Sequence, residues 1–306
     1  MRLLFNDGAS FGTRVNPITR RFERNFKLNR FGGSRGPEAH GPKGEDMVRV
    51  LVQGDSITWG QGVKDEADVY PSLLLKKWRA STPCVEMSVI AKPGRDMDEH
   101  LLELVRYAPE VEPDVITYQW FVNDMEIRTK GNHAPGRRIW RIPGIHSILS
   151  QWSYFWFYVD FKLDTLLPGP NLTYSDYLVD LFEGDTPEWR EFEFVFRQWA
   201  LEAKRHTDKV VVALYPSLHE EKPHLLDTLH RKVMETASGM QVTAIDLNET
   251  LGHLAGDPTA YASTNDGHPN EMVHALIAGQ LHDRLAAQWP PLFQAPATTI
   301  PCHSNF

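Results

Sequence analysis

The chain is poor in cysteine, in long apolar runs and in net positive charge, and each shortage removes a class of function. Two cysteines in 306 residues, Cys84 and Cys302, supply neither a disulfide framework nor a Cys-based zinc site, and a reducing compartment fits. The most apolar window, Ile145 to Phe161, is too short for a spanning helix and contains Gln151 and Asp160, so no transmembrane segment is expected. Met1 to Asp7 has too few apolar residues for a secretory h-region, and the expected location is the cytoplasm. Lys+Arg 32 against Asp+Glu 40 gives a net charge of −8, the wrong sign for a general binder of nucleic acid or of an anionic membrane. Repeats and low-complexity tracts are absent. Gly54 to Gly62 lacks the Lys-Ser/Thr ending of a phosphate-binding loop, and the glycine spacing does not fit a dinucleotide fingerprint. Of the 13 histidines, His219, His224 and His230 show no ligand spacing, and His268 and His274 are six apart. Solvated or capping roles are expected for them, with no metal and no cofactor.

What the chain does have is 42% hydrophobic and 24% charged residues, enough to bury a core without a covalent staple. Residues 1–47 lack sustained periodicity and read as an N-terminal arm broken by Gly32-Gly33, Gly36-Pro37 and Gly41-Pro42. From Arg14 to Arg35 the arm carries seven cations and one anion, which suits wrapping on an acidic body better than contacting nucleic acid. Beyond it, five apolar runs (Val48 to Gln53, Val85 to Ala91, Val115 to Phe121, Lys209 to Tyr215, Val242 to Leu247) read as strands covered on both faces. Between and after them, Tyr70 to Trp78, Asp98 to Tyr107, Pro187 to His206, Pro223 to Ala237 and Asn270 to Trp289 space apolar residues by three and four. This alternation predicts an α/β fold, a three-layer α/β/α sandwich with a mostly parallel, flavodoxin-like sheet spanning 48–290 as one domain. A helical insertion is expected at about 125–186 and a non-helical, proline-rich tail over 291–306.

In parallel sheets, chemistry sits at the carboxyl ends of the strands. Here those ends read Gly54-Asp55-Ser56, then Lys92-Pro93-Gly94, then Asn123-Asp124. Ser56 stands on a glycine-flanked turn just past a buried strand, the exposure a nucleophile needs. A serine hydroxyl reacts only as its proton is removed, so a base must meet it. Asn265-Asp266-Gly267-His268-Pro269-Asn270 offers one in His268, with Asp266 able to fix the imidazole tautomer. Considered singly, Asp55 and Asp124 read as turn-holding residues, Asn123 as a turn residue and His268 as a helix-cap residue.

Together these blocks resemble those of the SGNH hydrolases, the GDSL-type esterase and lipase superfamily. The resemblance runs over roughly residues 48–290 and extends to the arm's Asn29-Arg30-Phe31-Gly32 and Arg35-Gly36-Pro37-Glu38. It implies Ser56 as nucleophile, His268 as general base, and an oxyanion hole of Ser56 N–H, Gly94 N–H and the Asn123 amide. Such donors typically contribute on the order of 3–4 kcal/mol each, and glycine at 94 would let the backbone approach the substrate. The family's acid usually stands three positions before the histidine, where this chain has Asn265. Asp266 is therefore assigned as the orienting acid, with a Ser-His dyad assisted by a backbone carbonyl as the alternative.

The implied activity is hydrolysis of a carboxylic ester, borne by a small molecule or a glycan, through an acyl-enzyme on Ser56. An O-acyltransferase passing the acyl group to a sugar or natural-product hydroxyl is the alternative, and a non-catalytic ligand-binding relative ranks last. The aromatic run Ile145 to Tyr158 reads mainly as a helix on the sheet flank, and as a possible substrate lid through Trp152 and Trp156.

Overall fold

All five apolar runs form strands, because each is continuous, rich in β-branched or aromatic residues and bounded by polar turns. They are β1 (Val48–Gly54), β2 (Val85–Ala91), β3 (Val115–Trp120), β4 (Val210–Leu214) and β5 (Thr243–Asp246). They pair in the order β2-β1-β3-β4-β5, every pair parallel, which is the flavodoxin-like order. The structure is a computed structural model that describes residues 14–15, 22–23, 28–31, 34–82, 84–127, 174–218, 226–263 and 266–293. At 14–15, 22–23, 174–177 and 266 it describes the backbone alone.

The helices are α1 (Ser56–Trp59), α2 (Tyr70–Ser81), α3 (Met97–Val111), α4 (Tyr174–Phe182), α5 (Pro187–His206), α6 (Asp227–Gly239), α7 (Asn248–Leu251), α8 (Glu271–Gln288) and α9 (Pro290–Phe293). One sheet face buries Leu51, Tyr118 and Val212 against α3, α4, α5 and α6. The other buries Val50, Val52 and Val211 against α2 and α8. Residues alternate between the faces because strand side chains do. The expected three layers are therefore present. Among the described residues, no helix is long and apolar enough to cross a membrane.

Several details depart from the sequence reading. Two unanticipated short strands, β6 (Tyr261–Ser263) and β7 (Asp266–Pro269), pair antiparallel. The tail does not begin as irregular chain: Pro290 opens α9, where a missing N–H costs nothing, and Phe293 is buried with its ring stacked on Trp78 at 4.5 Å. Cys84 is disulfide-bonded, against the expectation of no bridge, since distance along the chain says nothing of distance in space. Cys302, the only other cysteine, lies outside the described residues. So does the aromatic run with Trp152 and Trp156. Of the insertion's later part, α4 is described, and Lys232 of α6 donates to the carbonyls of Phe182, Glu183 and Gly184 where α4 ends.

The arm is not wholly irregular, since residues 14–15 and 22–23 pair antiparallel, and Asn29, Ser34 and Pro37 tie it to β2, an edge strand. Val89 N–H donates to Pro37 O at 3.1 Å, Ala91 N–H to Ser34 Oγ at 2.6 Å, and Asn29 Nδ2 to Val89 O at 2.8 Å, covering an edge that would otherwise invite pairing with another chain. Two of its cations are engaged on the body. Arg30 pairs with Glu38 and Glu110, and buried Arg35 donates to Gly60 O at 2.9 Å while lying over the Trp59 ring.

Candidate active site

β1 delivers its last residues into a sharp turn that only a glycine permits. A Cβ on Gly54 would collide with Thr58 Oγ1 and crowd Gln119 Oε1. Asp55 follows as the N-cap of α1, its Oδ1 accepting from Ile57 N–H at 2.9 Å. Ser56 is then the first residue of the helix, a position whose N–H lies outside the intrahelical ladder and is available to a ligand oxygen. Its side chain is 8% exposed.

His268 arrives on β7. Its Nε2 lies 2.9 Å from Ser56 Oγ, joining residues 212 apart in the chain at a distance suited to proton transfer. Asn270, two residues on, caps α8 by accepting from Val273 N–H at 3.1 Å, so the histidine sits in a strand that runs straight into a capped helix. Asp266 begins the same strand, but its side chain lies outside the described residues, as does Asn265.

Strand register brings the other two candidates to the same rim. β1 and β2 pair through Gly54 and Ala91, so Lys92 to Gly94 leaves the sheet beside Asp55 and Ser56. Gly94 has φ +72, and a Cβ there would meet nothing within 4 Å. That backbone conformation by itself calls for glycine. On the other side of β1, Gln53 pairs with Tyr118, and β3 runs into a 3₁₀ turn, Val122–Met125, that carries Asn123. The Asn123 Oδ1 is buried and meets no donor. β1 and β3 flank the point where the strand order reverses, the crevice in which ligands of open α/β sheets bind.

Two sets of buried polar groups hold these turns. Toward α3 they are ionisable. Asp124 Oδ2 accepts from Tyr118 OH at 2.6 Å and from Phe121 N–H at 2.9 Å, closing the Asn123 turn. His100 Nε2 lies 3.7 Å from Asp124 Oδ1, with both side chains wholly buried. Burial pushes the Asp55 carboxyl up to about 6; Asp124 adds to this, while the Ile57 N–H, His100 and His268 pull back. For His100, burial opposes the charged ring, but Asp124, Glu103 and Asp55 together outweigh it and raise its pKa.

Toward α2 and α8 the groups are neutral. Thr58 Oγ1 donates to Gln119 Oε1 at 2.8 Å and lies 2.9 Å from Tyr70 OH, and Tyr70 N–H donates to His274 Nδ1 at 3.2 Å. Burial, with Arg35 and His268 adding to it, lowers His274 to about 3, which fixes it as neutral imidazole. His274 thus serves the first N–H of α2 from inside the core, and is not solvated. His230, also buried, has its Nδ1 3.5 Å from Asp246 Oδ1. Among the described residues no cluster of His, Cys, Asp and Glu is arranged to hold a metal.

The sequence reading passed over His100, Gln53, Gln119 and Thr58, yet some signals were present. Gln53 and Gln119 interrupt apolar strands near their carboxyl ends, and His100 falls on the apolar stripe Met97, Leu104, Ala108, Val111. Both glutamines are buried and bonded: Gln53 accepts from Trp199 Nε1 at 2.9 Å and donates to His100 O at 3.0 Å.

No family model matches the chain, and no curated protein matches it in sequence. Among solved structures it is similar to EstA, a psychrotrophic esterase from Pseudoalteromonas sp. inhibited by monoethylphosphonate, at 11% identity and TM-score 0.48 over 79% of this chain and 98% of that one. It is similar to Axe2, an acetylxylan esterase from Geobacillus stearothermophilus, at 15% identity and TM-score 0.48 over 80% and 96%. It is also similar to TesA, at 14% identity and TM-score 0.48 over 80% and 99%.

Proposed function

We propose that the chain is a serine-dependent ester hydrolase of the SGNH type, acting through an acyl-enzyme on Ser56. The observation that carries this reading is the 2.9 Å approach of His268 Nε2 to Ser56 Oγ at the switch point of a parallel sheet. As Ser56 Oγ bonds to the acyl carbon, its proton passes to His268 Nε2. Negative charge gathers on the carbonyl oxygen, where Ser56 N–H, Gly94 N–H and the Asn123 amide donate. His268 gives the proton to the departing alkoxide, then takes one from the water that attacks the acyl carbon and returns it to Ser56 Oγ as the acid leaves.

Asp266 is the proposed orienting acid. It stands two positions before His268 in β7. A carboxylic ester borne by a small molecule or glycan is the proposed substrate, and water the acceptor.

The test is a panel of p-nitrophenyl esters graded by acyl length, run on the wild type and Ser56→Ala, with labelling by a fluorophosphonate. Loss of about 10⁴-fold in kcat and loss of the label in Ser56→Ala are expected. Full hydrolysis by Ser56→Ala, or a folded wild type that takes no label, would overturn the assignment.

A further inference from the structure

Behind Ser56 lies a buried cluster of charge that the acyl-transfer scheme does not use. Asp55, His100 and Asp124 are each wholly buried, from the end of β1, from α3 and from the turn after β3. Neither ring nitrogen of His100 has a hydrogen-bond partner, and Asp124 Oδ1, 3.7 Å from Nε2, has none either. Two carboxylates without a countercharge are costly to hold in a core. The groups facing the ring are Asp124 and Tyr118 of β3 and its turn, Asp55 of the turn after β1, and Glu103 on its own helix, while Gln53 donates to the His100 carbonyl and Trp199 of α5 packs on Tyr118. Arg95 is taken up by Glu99 and Glu103, and His100 lies beside Asp124 and acts on Asp55 as well.

The two aspartates have separate local tasks. Asp55 caps the helix that starts at Ser56, and Asp124 closes the turn that carries Asn123. We propose that His100, as a buried imidazolium, is a positioning residue that supplies countercharge to Asp124 and Asp55 and so holds the nucleophile turn and the oxyanion turn in one arrangement. This rests on the reading of Ser56 as nucleophile and extends it to a residue that touches no substrate. The carboxylates around His100 raise it against burial, and His100 in turn pulls Asp55 down against the burial and the Asp124 charge that push it up.

The test uses the full chain and p-nitrophenyl acetate, with kcat and KM followed from pH 5 to 9 for the wild type, His100→Gln and the double variant His100→Gln/Asp124→Asn. Deleting a cation raises the proton affinity of every carboxylate around it. In His100→Gln, kcat should therefore fall about tenfold at pH 7 with KM changed less than about twofold, and the acidic limb should move up by about one pH unit. The double variant, which removes the stranded carboxylate as well, should return the limb toward the wild-type position and recover expression if His100→Gln folds poorly. A profile that merely scales without shifting, a loss carried by KM, or a double variant no better than the single one would overturn the proposal.

A second measurement is independent of turnover. In ¹⁵N-histidine spectra the signal missing from His100→Gln should be a protonated ring at pH 7, and a neutral ring there would also overturn it. Failure of Ser56→Ala to lose activity would instead strike the hydrolase reading and leave the ring's charge state standing.

Discussion

The two sides of the strand that carries Ser56 support it by opposite means. Toward α3, Asp55, His100 and Asp124 are ionisable and buried, and both ring nitrogens of His100 and one oxygen of Asp124 lack a hydrogen bond. Toward α2 and α8, Thr58, Gln119, Tyr70 and His274 are held neutral and linked by bonds of 2.8–3.2 Å. The neutral side still leaves Gln119 Nε2 and His274 Nε2 unpaired, but it strands no charge, and its hydrogen bonds add to stability. A charged network costs stability and supplies field and a defined protonation state where the proposed reaction takes place. The sides should also respond to acid with opposite signs. Asp55, raised to about 6, takes up a proton in the folded state before it does when unfolded, so its cost is full above pH 6 and fades as pH falls toward its ordinary value of 3.8. His274, lowered to about 3, stays neutral after an unfolded histidine has charged, so its contribution is full above 6.5 and is lost as pH falls toward 3.

The largest expected contrast comes from His274→Asn, whose amide oxygen can accept from Tyr70 N–H in place of Nδ1. The wild type should lose on the order of 4 kcal/mol between pH 7 and pH 3.5 through this histidine. Urea titrations across that range should show the slope flattened in the variant, and an unchanged slope would mean that His274 does not stay neutral. Next is Asp55→Asn, which keeps the cap and removes the buried charge. It should stabilise the fold by about 3 kcal/mol at pH 8, with the gain vanishing toward pH 4, while lowering kcat. A loss of stability at pH 8 would put the charged side on the same footing as the neutral one.

The smallest effect is that of Thr58→Val, which strands Gln119 Oε1 and Tyr70 OH. It should cost about 1–2 kcal/mol at every pH and change kcat less than about threefold. A shifted pH profile in this variant would erase the distinction between the two sides.

The legibility of the molecule follows the same division. Strands β1 to β5 could be read because a strand buried on both faces is a local pattern of apolar residues. Ser56 and His268 could be read because each sits in a short motif whose residue types suit its chemistry. His100 is one polar position on an apolar helical stripe, and in sequence nothing distinguishes a charge acting on two aspartates from an ordinary core histidine. His274 was expected to be solvated or capping. It does cap, but the helix it serves begins at Tyr70, 204 residues away in the chain. The reason for glycine at 94 depends on a dihedral angle, and at 54 on the approach of Thr58, neither of which composition reveals.

The sequence by itself determined the alternation of strands and helices, the parallel sheet that follows from it, and the residue types at the strand ends, because these depend on periodicity and turn chemistry over a few residues. Tertiary structure alone decided that His268 reaches Ser56, that the arm covers the edge of β2, and that Asp55, His100 and Asp124 share one buried space. Coulomb interactions and hydrogen bonds depend on distance through space and on burial, and the chain acquires both only when the sheet closes.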